Sequence, residues 1–440
     1  MPEPSVPSKR LLVGLPTDGH GGCEYNALSV AKFASAVLGL DVSIAIPLND
    51  RTEFLRGLAV ANGLDVLDFA LGFERDDDEA LFAAHRARWA ALVDDRRPDA
   101  VFIAMPWPAR GGGLVAACAD RDLPALVKFA LVPEALYLPW PGLADAWRGI
   151  AAGRQIRFAN SAWSARLLEG HFGLPSHSVE HFHVGPVGLR DLVATGGPAA
   201  AGRDQVRRGV FAEFGISSQA FLMTTVGRLS EQKGYPAWLA AAAALARKVP
   251  DLVFLWVGEG ELREELVAGI RREGLAGRVI LAGFRADVRR LLQASDIFVL
   301  PTLYEGGCSQ ALLEAMEEGL PIVVSGVGAM AEVVGDGRHA LLAQAGDPAS
   351  LVRQVGRLIG DVDLRRRLGA AAALRATHFS REIMLRRTFA RLDRLLGTAL
   401  ADHPALAAAD LAEADAQLLP AAPPKAGLID KMRAFFVSRN

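Results

Sequence analysis

SDIFVLPTLYEGGCSQALLEAMEEGLPIVVSGVG, residues Ser295–Gly328, sets two short apolar runs on either side of a loop and a helical pattern. Ile297–Leu300 is apolar throughout, which suits a strand buried on both faces of a parallel sheet. Pro301 ends that strand. Thr302–Ser309 reads as a loop with paired glycines, Gly306 and Gly307. Gln310–Met316 has helical spacing, and Gly319 followed by Pro321 stops it in the C′-glycine, late-proline order. Ile322–Val324 is a second buried strand. In such a strand–loop–helix–strand unit the loop lies at the carboxyl end of a parallel sheet, where α/β folds bind ligands. The backbone N–H groups of Gly307, Cys308, Ser309 and Gln310 would there point at an anion. Two carboxylates bracket the helix start. Glu305 is in the loop; Glu314 sits beside Leu313 and Met316 on a largely apolar face, where a carboxylate needs strong donors. Taken singly, Glu305 could be a helix cap and Glu314 a solvated helix residue.

The run YEGG…LLEAM…G.P.VVS resembles the signature of the retaining, GT-B-fold nucleotide-sugar glycosyltransferases (glycosyltransferase family four, the glycosyl transferases group 1). The usual pattern has two glutamates with seven residues between them. Glu305 and Glu314 have eight between them, so this loop is one residue longer. The resemblance implies an α/β fold of two Rossmann-like, doubly wound parallel-sheet domains facing across a cleft. It implies a ribose-binding role for Glu314, and contact with the donor sugar for Glu305 or the neighbouring glycine backbone.

The 440 residues suffice for two α/β domains, and a hydrophobic fraction of 51% supports large cores. A net charge of −2 gives no bulk electrostatic argument for nucleic acid. Cys23, Cys118 and Cys308 are far apart and lack metal spacing, which fits a reducing cytoplasm. MPEPSVPSKR lacks a signal-peptide core, and no apolar stretch is long enough for a membrane span.

Nearer the amino terminus, Arg10–Pro16 reads as a strand leading into TDGHGGCE (17–24) and a helical pattern through Leu38. This outlines a βα phosphate-binding turn, although the spacing is not GxGxxG. In the resembled family this loop faces the cleft. Gly21 and Gly22 match glycines that let the backbone approach the donor diphosphate, which puts His20 and Glu24 within reach of donor or acceptor. Further strands are expected at Val42–Ile46, Ala100–Ala104, Ala125–Ala130 and Gln155–Ala159, alternating with helical patterns such as Glu79–Val93 and Gly111–Ala119. Trp107, Tyr137 and Trp140 lie in proline-rich loops after the second and third of these strands. They suit stacking on an acceptor sugar or packing of the loops themselves. Members of the resembled family often carry a histidine after the strand matching Ala125–Ala130; Phe129-Ala130-Leu131 has none, so either another residue such as His20 does that job or the acceptor geometry differs. Asn160-Ser161 reads as a helix cap. His181 and His183 alternate on an expected strand and share one face, but no third ligand completes a metal site. Asp76-Asp77-Asp78 reads as a solvated turn, not a metal motif.

Ala194 begins ATGGPAAAG, the clearest linker by composition. The expected division is a first domain at 1–193, a linker at 194–205, a donor-nucleotide domain at 206–375, helices crossing back over 376–400, and an Ala/Pro-rich tail at 401–440. In the second domain a strand at Ala220–Gly227 leads through a loop to a helix at Pro236–Val249. Arg228 and Lys233 sit on that loop, where two cations can bind both phosphates of a leaving nucleoside diphosphate. The family has the same GRL…KG pattern there. Gly283, Phe284 and Arg285 match the family's base-pocket residues, which act largely through backbone groups. In the tail, Leu428, Ile429, Met432, Phe435 and Phe436 form an apolar helical stripe beside Lys431 and Arg439, suited to peripheral membrane or protein contact.

The resemblance thus implies a retaining transferase that moves a sugar from a nucleoside diphosphate to a glycan, a lipid-linked sugar or a small molecule. Arg228, Lys233 and Glu305 carry the chemistry, in the cytoplasm or at the inner membrane face, without metal or other cofactor. The alternatives are a GT-B epimerase or phosphorylase, or a non-catalytic sugar-nucleotide-binding subunit.

Overall fold

The computed structural model describes residues 8–69, 76–134, 136, 138–150, 154–187 and 202–406. Tyr137, most of the expected linker and the 428–439 stripe lie outside them. The described chain forms two compact units, 8–187 with 381–406, and 202–380. Arg203, Asp204 and Gln205, expected as linker, instead open a helix, Arg203–Phe214.

The first unit holds a parallel sheet of seven strands: β1 (Arg10–Gly14), β2 (Asp41–Pro47), β3 (Asp65–Phe69), β4 (Ala100–Met105), β5 (Ala125–Phe129), β6 (Gln155–Ala159) and β7 (Glu180–His181). Their order is 3-2-1-4-5-6-7. The central strands are buried along their length, as expected for a sheet covered on both faces. Helix α1 (Gly22–Ala36) follows β1, and its amino end is capped by extended Gly21. β3 was not legible in the sequence because exposed Asp65 and Asp68 interrupt a run with only three apolar residues. β7 is only two residues long, and that corrects the histidine reading. His181 is exposed while His183, beyond the strand end, is buried, so they share no face. The helix Arg381–Leu396 belongs to this unit: Arg381 Nε donates to Ser29 Oγ at 3.0 Å, and Arg391 and Arg394 both pair with Glu180.

The acidic turn also differs from expectation. Asp77 is 1% exposed, accepts from the Gly111 amide at 2.8 Å and lies 3.3 Å from His85 Nδ1. Asp78 caps the helix Glu79–Arg96 by accepting from the Leu81 amide. Asp76 pairs with Arg110. The turn is therefore a structural staple, because a buried carboxylate persists only where donors satisfy it.

The second unit repeats the plan with β8 (Phe221–Val226), β9 (Leu252–Val257), β10 (Val279–Gly283), β11 (Ile297–Leu300), β12 (Ile322–Ser325) and β13 (Leu341–Ala343). All pairings are parallel, in the order 10-9-8-11-12-13. The strand order reverses between β8 and β11, so their carboxyl ends flank the crevice where such sheets take ligands. Every side chain of β11 and β12 is buried, and burying each large apolar one contributes about 1.5–3 kcal/mol.

Candidate functional site

Five loops leave the carboxyl ends of β8 to β12, and they are tied to one another by backbone. Leu229 N–H donates to Glu259 O at 2.9 Å, Gly258 N–H to Gly283 O at 2.8 Å, and Leu303 N–H to Gln232 O at 2.7 Å. Two glycines are required by these approaches. Gly234 has φ +69°, and a Cβ there would lie 2.1 Å from Pro301 O. Gly328 has φ +50°, and a Cβ would lie 2.1 Å from Glu305 O. Only a residue without Cβ fits such crowded, left-handed positions.

The β8 loop runs from Gly227 through a single 3-10 turn, Glu231–Lys233, into the helix Tyr235–Ala246. It presents Arg228 and Lys233. Arg228 is exposed and forms no ion pair among the described residues. Lys233 is half-buried and ion-paired with Glu305 of the β11 loop. Glu305 is 9% exposed and also lies 3.3 Å from Thr302 Oγ1. Sequence reading assigned Lys233 to the phosphates and Glu305 to the sugar. The structure brings the two together at the switch point, 72 positions apart in the chain. Thr302 was missed. It is fully buried, and its hydroxyl sits between Gln232 O and Tyr304 O, joining the two loops. Tyr304 stands in the same loop; burial, then Glu305, push its pKa up to about 12.

Ser309 caps the helix Gln310–Glu317 in extended backbone, without a side-chain cap bond. The positive end of that helix therefore lies beside Glu305, Gly306, Gly307 and Cys308. Burial raises the Cys308 thiol well above its ordinary range, so it stays protonated. Glu314 departs from expectation. It is half-buried, because Leu312, Leu313, Ala315 and Met316 take the inward face. Arg289 is near enough to feel its charge.

Gly283 and Phe284 follow β10, Gly283 with φ +71° and Phe284 half exposed. The Arg285 side chain turns away into a cluster, with Asp287 at 2.7 Å and Glu213 at 2.6 Å, and Arg290 joins both acids. Hydrogen bonding from Arg285 is the largest cause holding Asp287 at about 2, below its usual 3.8. A depressed carboxylate stabilises the fold above its unfolded pKa and loses that stabilisation as pH falls through the folded one. Arg285→Ala should therefore lower stability near neutrality. The gap to the parent should close between about pH 4 and pH 2, read by circular dichroism against pH. A gap that stays constant across that window would rule the cluster out as its cause.

In the first unit, His20 Nδ1 contacts Tyr25 Oη at 2.8 Å, and its ring lies 5.1 Å from Phe54. Gly21 and Gly22 start α1, and Glu24 on its first turn is 5% exposed. Trp107 and Trp140 pack against the first core, Trp140 edge-on to Phe82 at 5.6 Å. The loop-packing alternative therefore describes both. Among the described residues no group of three or more His, Cys, Asp or Glu could hold a metal ion. No helix among them is long and apolar enough to cross a membrane.

Two doubly wound parallel sheets, with linked loops at the second switch point, define a GT-B-fold protein. Residues 220–361, within the second unit, match the family described as Glycosyl transferases group 1. The chain is 36% identical over 151 residues to the UDP-Gal:alpha-D-GlcNAc-diphosphoundecaprenol alpha-1,3-galactosyltransferase of Escherichia coli. It is 34% identical over 140 residues to the 2-deoxystreptamine glucosyltransferase of Streptomyces kanamyceticus. These matches span 33% and 31% of this chain, and 38% and 35% of the relatives' lengths. Among solved structures, a glycosyltransferase from Rickettsia africae covers 89% of this chain and 100% of its own, at TM-score 0.73 and 15% identity. Anabaena HepE in complex with UDP and glucose covers 87% of this chain and 99% of its own, at TM-score 0.70 and 18% identity. At these identities the likeness is one of fold.

Proposed function

We propose that this protein is a retaining glycosyltransferase that moves a sugar from a nucleoside diphosphate to a hydroxyl of a glycan or lipid-linked sugar. The observation that carries the reading is the Lys233–Glu305 pair at the β8/β11 switch point, with Arg228 beside it, inside a group 1 glycosyl transferase match. Relatives named for a diphosphoundecaprenol-linked sugar and for lipopolysaccharide core biosynthesis support the acceptor class.

On this reading the diphosphate replaces Glu305 as the partner of Lys233. Arg228 takes the second phosphate and the positive end of the Gln310–Glu317 helix a third share of the charge, which grows as the bond to the sugar breaks. Glu305, released, accepts from a sugar hydroxyl, and Glu314 accepts from the ribose. The base meets the backbone of Gly283, Phe284 and Arg285. The leaving phosphate takes the acceptor proton on the face it departs from, so configuration is kept. Two fixed cations neutralise the leaving group, so no metal or other cofactor is required.

The test is incubation with uridine, guanosine and adenosine diphosphate sugars and hydroxyl acceptors, following diphosphate release and the anomeric configuration of the product. Release with transfer and retained configuration is the expected result. Isomerised donor without transfer would instead make the protein an epimerase, and binding without turnover a silent subunit. Arg228→Ala should weaken nucleoside diphosphate binding about tenfold, and less at high salt, since exposed charge pairs are screened. Calorimetric titration at two salt concentrations reads both effects.

A further inference from the structure

Lys128 lies on β5 with its side chain inside the first unit, 2% exposed. Its one side-chain hydrogen bond among the described residues is to Asn26 Oδ1, at 3.2 Å, and no carboxylate among them forms an ion pair with it. Cys23 and Glu24, on the first turn of α1, act on its charge from farther off. Burial pushes the Cys23 thiol up to about 12, so it offers no thiolate near neutrality. Desolvation is the largest effect and lowers the pKa of the Lys128 ammonium, so Glu24 offsets the cost of burying that charge only in part.

Asn26 is 1% exposed, and its Nδ2 is buried without a partner. Both residues line a small cavity closed by apolar groups including Val30, Phe102, Phe158 and Met384. Thr388, the remaining polar wall, already donates to Met384 O at 2.8 Å. The groups in need of partners at this cavity are thus an ammonium and an amide N–H, both donors. An unpaired buried amide calls for a hydrogen-bond acceptor, and a buried cation without a carboxylate calls for negative charge.

We propose that this cavity is a binding site for a single monatomic anion, chloride in ordinary buffers, held by Lys128 Nζ and Asn26 Nδ2. One water would satisfy the amide but add nothing to the partial compensation that the ammonium receives from Glu24. The space admits a single small sphere, which a halide can fill with slight give from the flexible Met384 side chain and which excludes polyatomic sulfate, phosphate and carboxylates. The walls come from α1, β4, β5, β6 and the Arg381–Leu396 helix, so the anion joins both ends of the unit's sequence. The site is independent of the donor site proposed in the second unit.

A wild-type crystal soaked in sodium bromide should show an anomalous peak within hydrogen-bond reach of both nitrogens. In solution, replacing chloride by gluconate at constant ionic strength should lower the unfolding temperature of the wild type by about 3 °C. Lys128→Met and Asn26→Leu should each abolish that dependence. An ordered water with no bromide peak overturns the proposal, as does a chloride effect of equal size in both variants. Should the variants fail to fold, the wild-type bromide map decides alone.

Discussion

Replacing Lys233 with alanine is expected to slow sugar transfer about 10²–10³-fold, the usual loss when one fixed donor to a developing anion is removed. The same change removes the cation from Glu305, a carboxylate that is only 9% exposed. Breaking a buried pair on one side costs about 3–5 kcal/mol, and the half-burial of Lys233 puts this site at the low end. The two effects separate in a double variant. Lys233→Ala with Glu305→Gln replaces the charge by an amide of the same shape, so thermal stability should recover while transfer stays low. If Lys233→Ala keeps parental turnover and nucleotide affinity, the pair is structural only and the proposed chemistry fails. If the double variant regains activity along with stability, Lys233 acts through the fold and not on the phosphate.

Gly234→Ala is the second large effect. The residue adopts φ +69°, which costs an L side chain about 1–2 kcal/mol. Its Cβ would also meet Pro301 O at 2.1 Å, so the β8 loop or the end of β11 must shift. Together these should destabilise the protein by roughly 3 kcal/mol and lower the unfolding temperature by about 6–12 °C. Because Gly234 follows Lys233 directly, nucleotide affinity should fall as well. Gly57→Ala is the control: it lies inside the helix Glu53–Ala61 with open space at its Cβ, and should be neutral or slightly stabilising. A scan that cannot distinguish the two variants would refute the packing argument.

The strand, loop and helix around Glu305 were legible because Pro301, Ser309 and Gly319 punctuate them and the runs between are uniformly apolar. β3 and β13 were not. The first is a sheet-edge strand whose apolar residues are broken up by Asp65 and Asp68 with no regular alternation, and the second is three residues long. Lys233 and Glu305 were each readable as site residues, from loop position and family pattern. Their pairing was not, since it depends on β8 and β11 becoming neighbours across 72 positions. Glu314 was expected to be buried because it stands among Leu313, Ala315 and Met316. Helical geometry turns those three inward and leaves the acid at the boundary. Asp77 looked like part of a solvated turn because its partner, the Gly111 amide, lies 34 residues downstream.

The first unit borrows its closing helix from the far end of the polypeptide. Phe389 rests on Phe33 with centroids 5.7 Å apart, and Arg391 covers the Phe182 ring at 4.4 Å. A ribosome therefore delivers every described residue of the second unit before it delivers what the first one needs. During synthesis, 202–380 can mature at once, while 8–187 must wait with α1 and Phe182 uncovered. A stop codon near position 380 would spare the later-made half and cripple the earlier one.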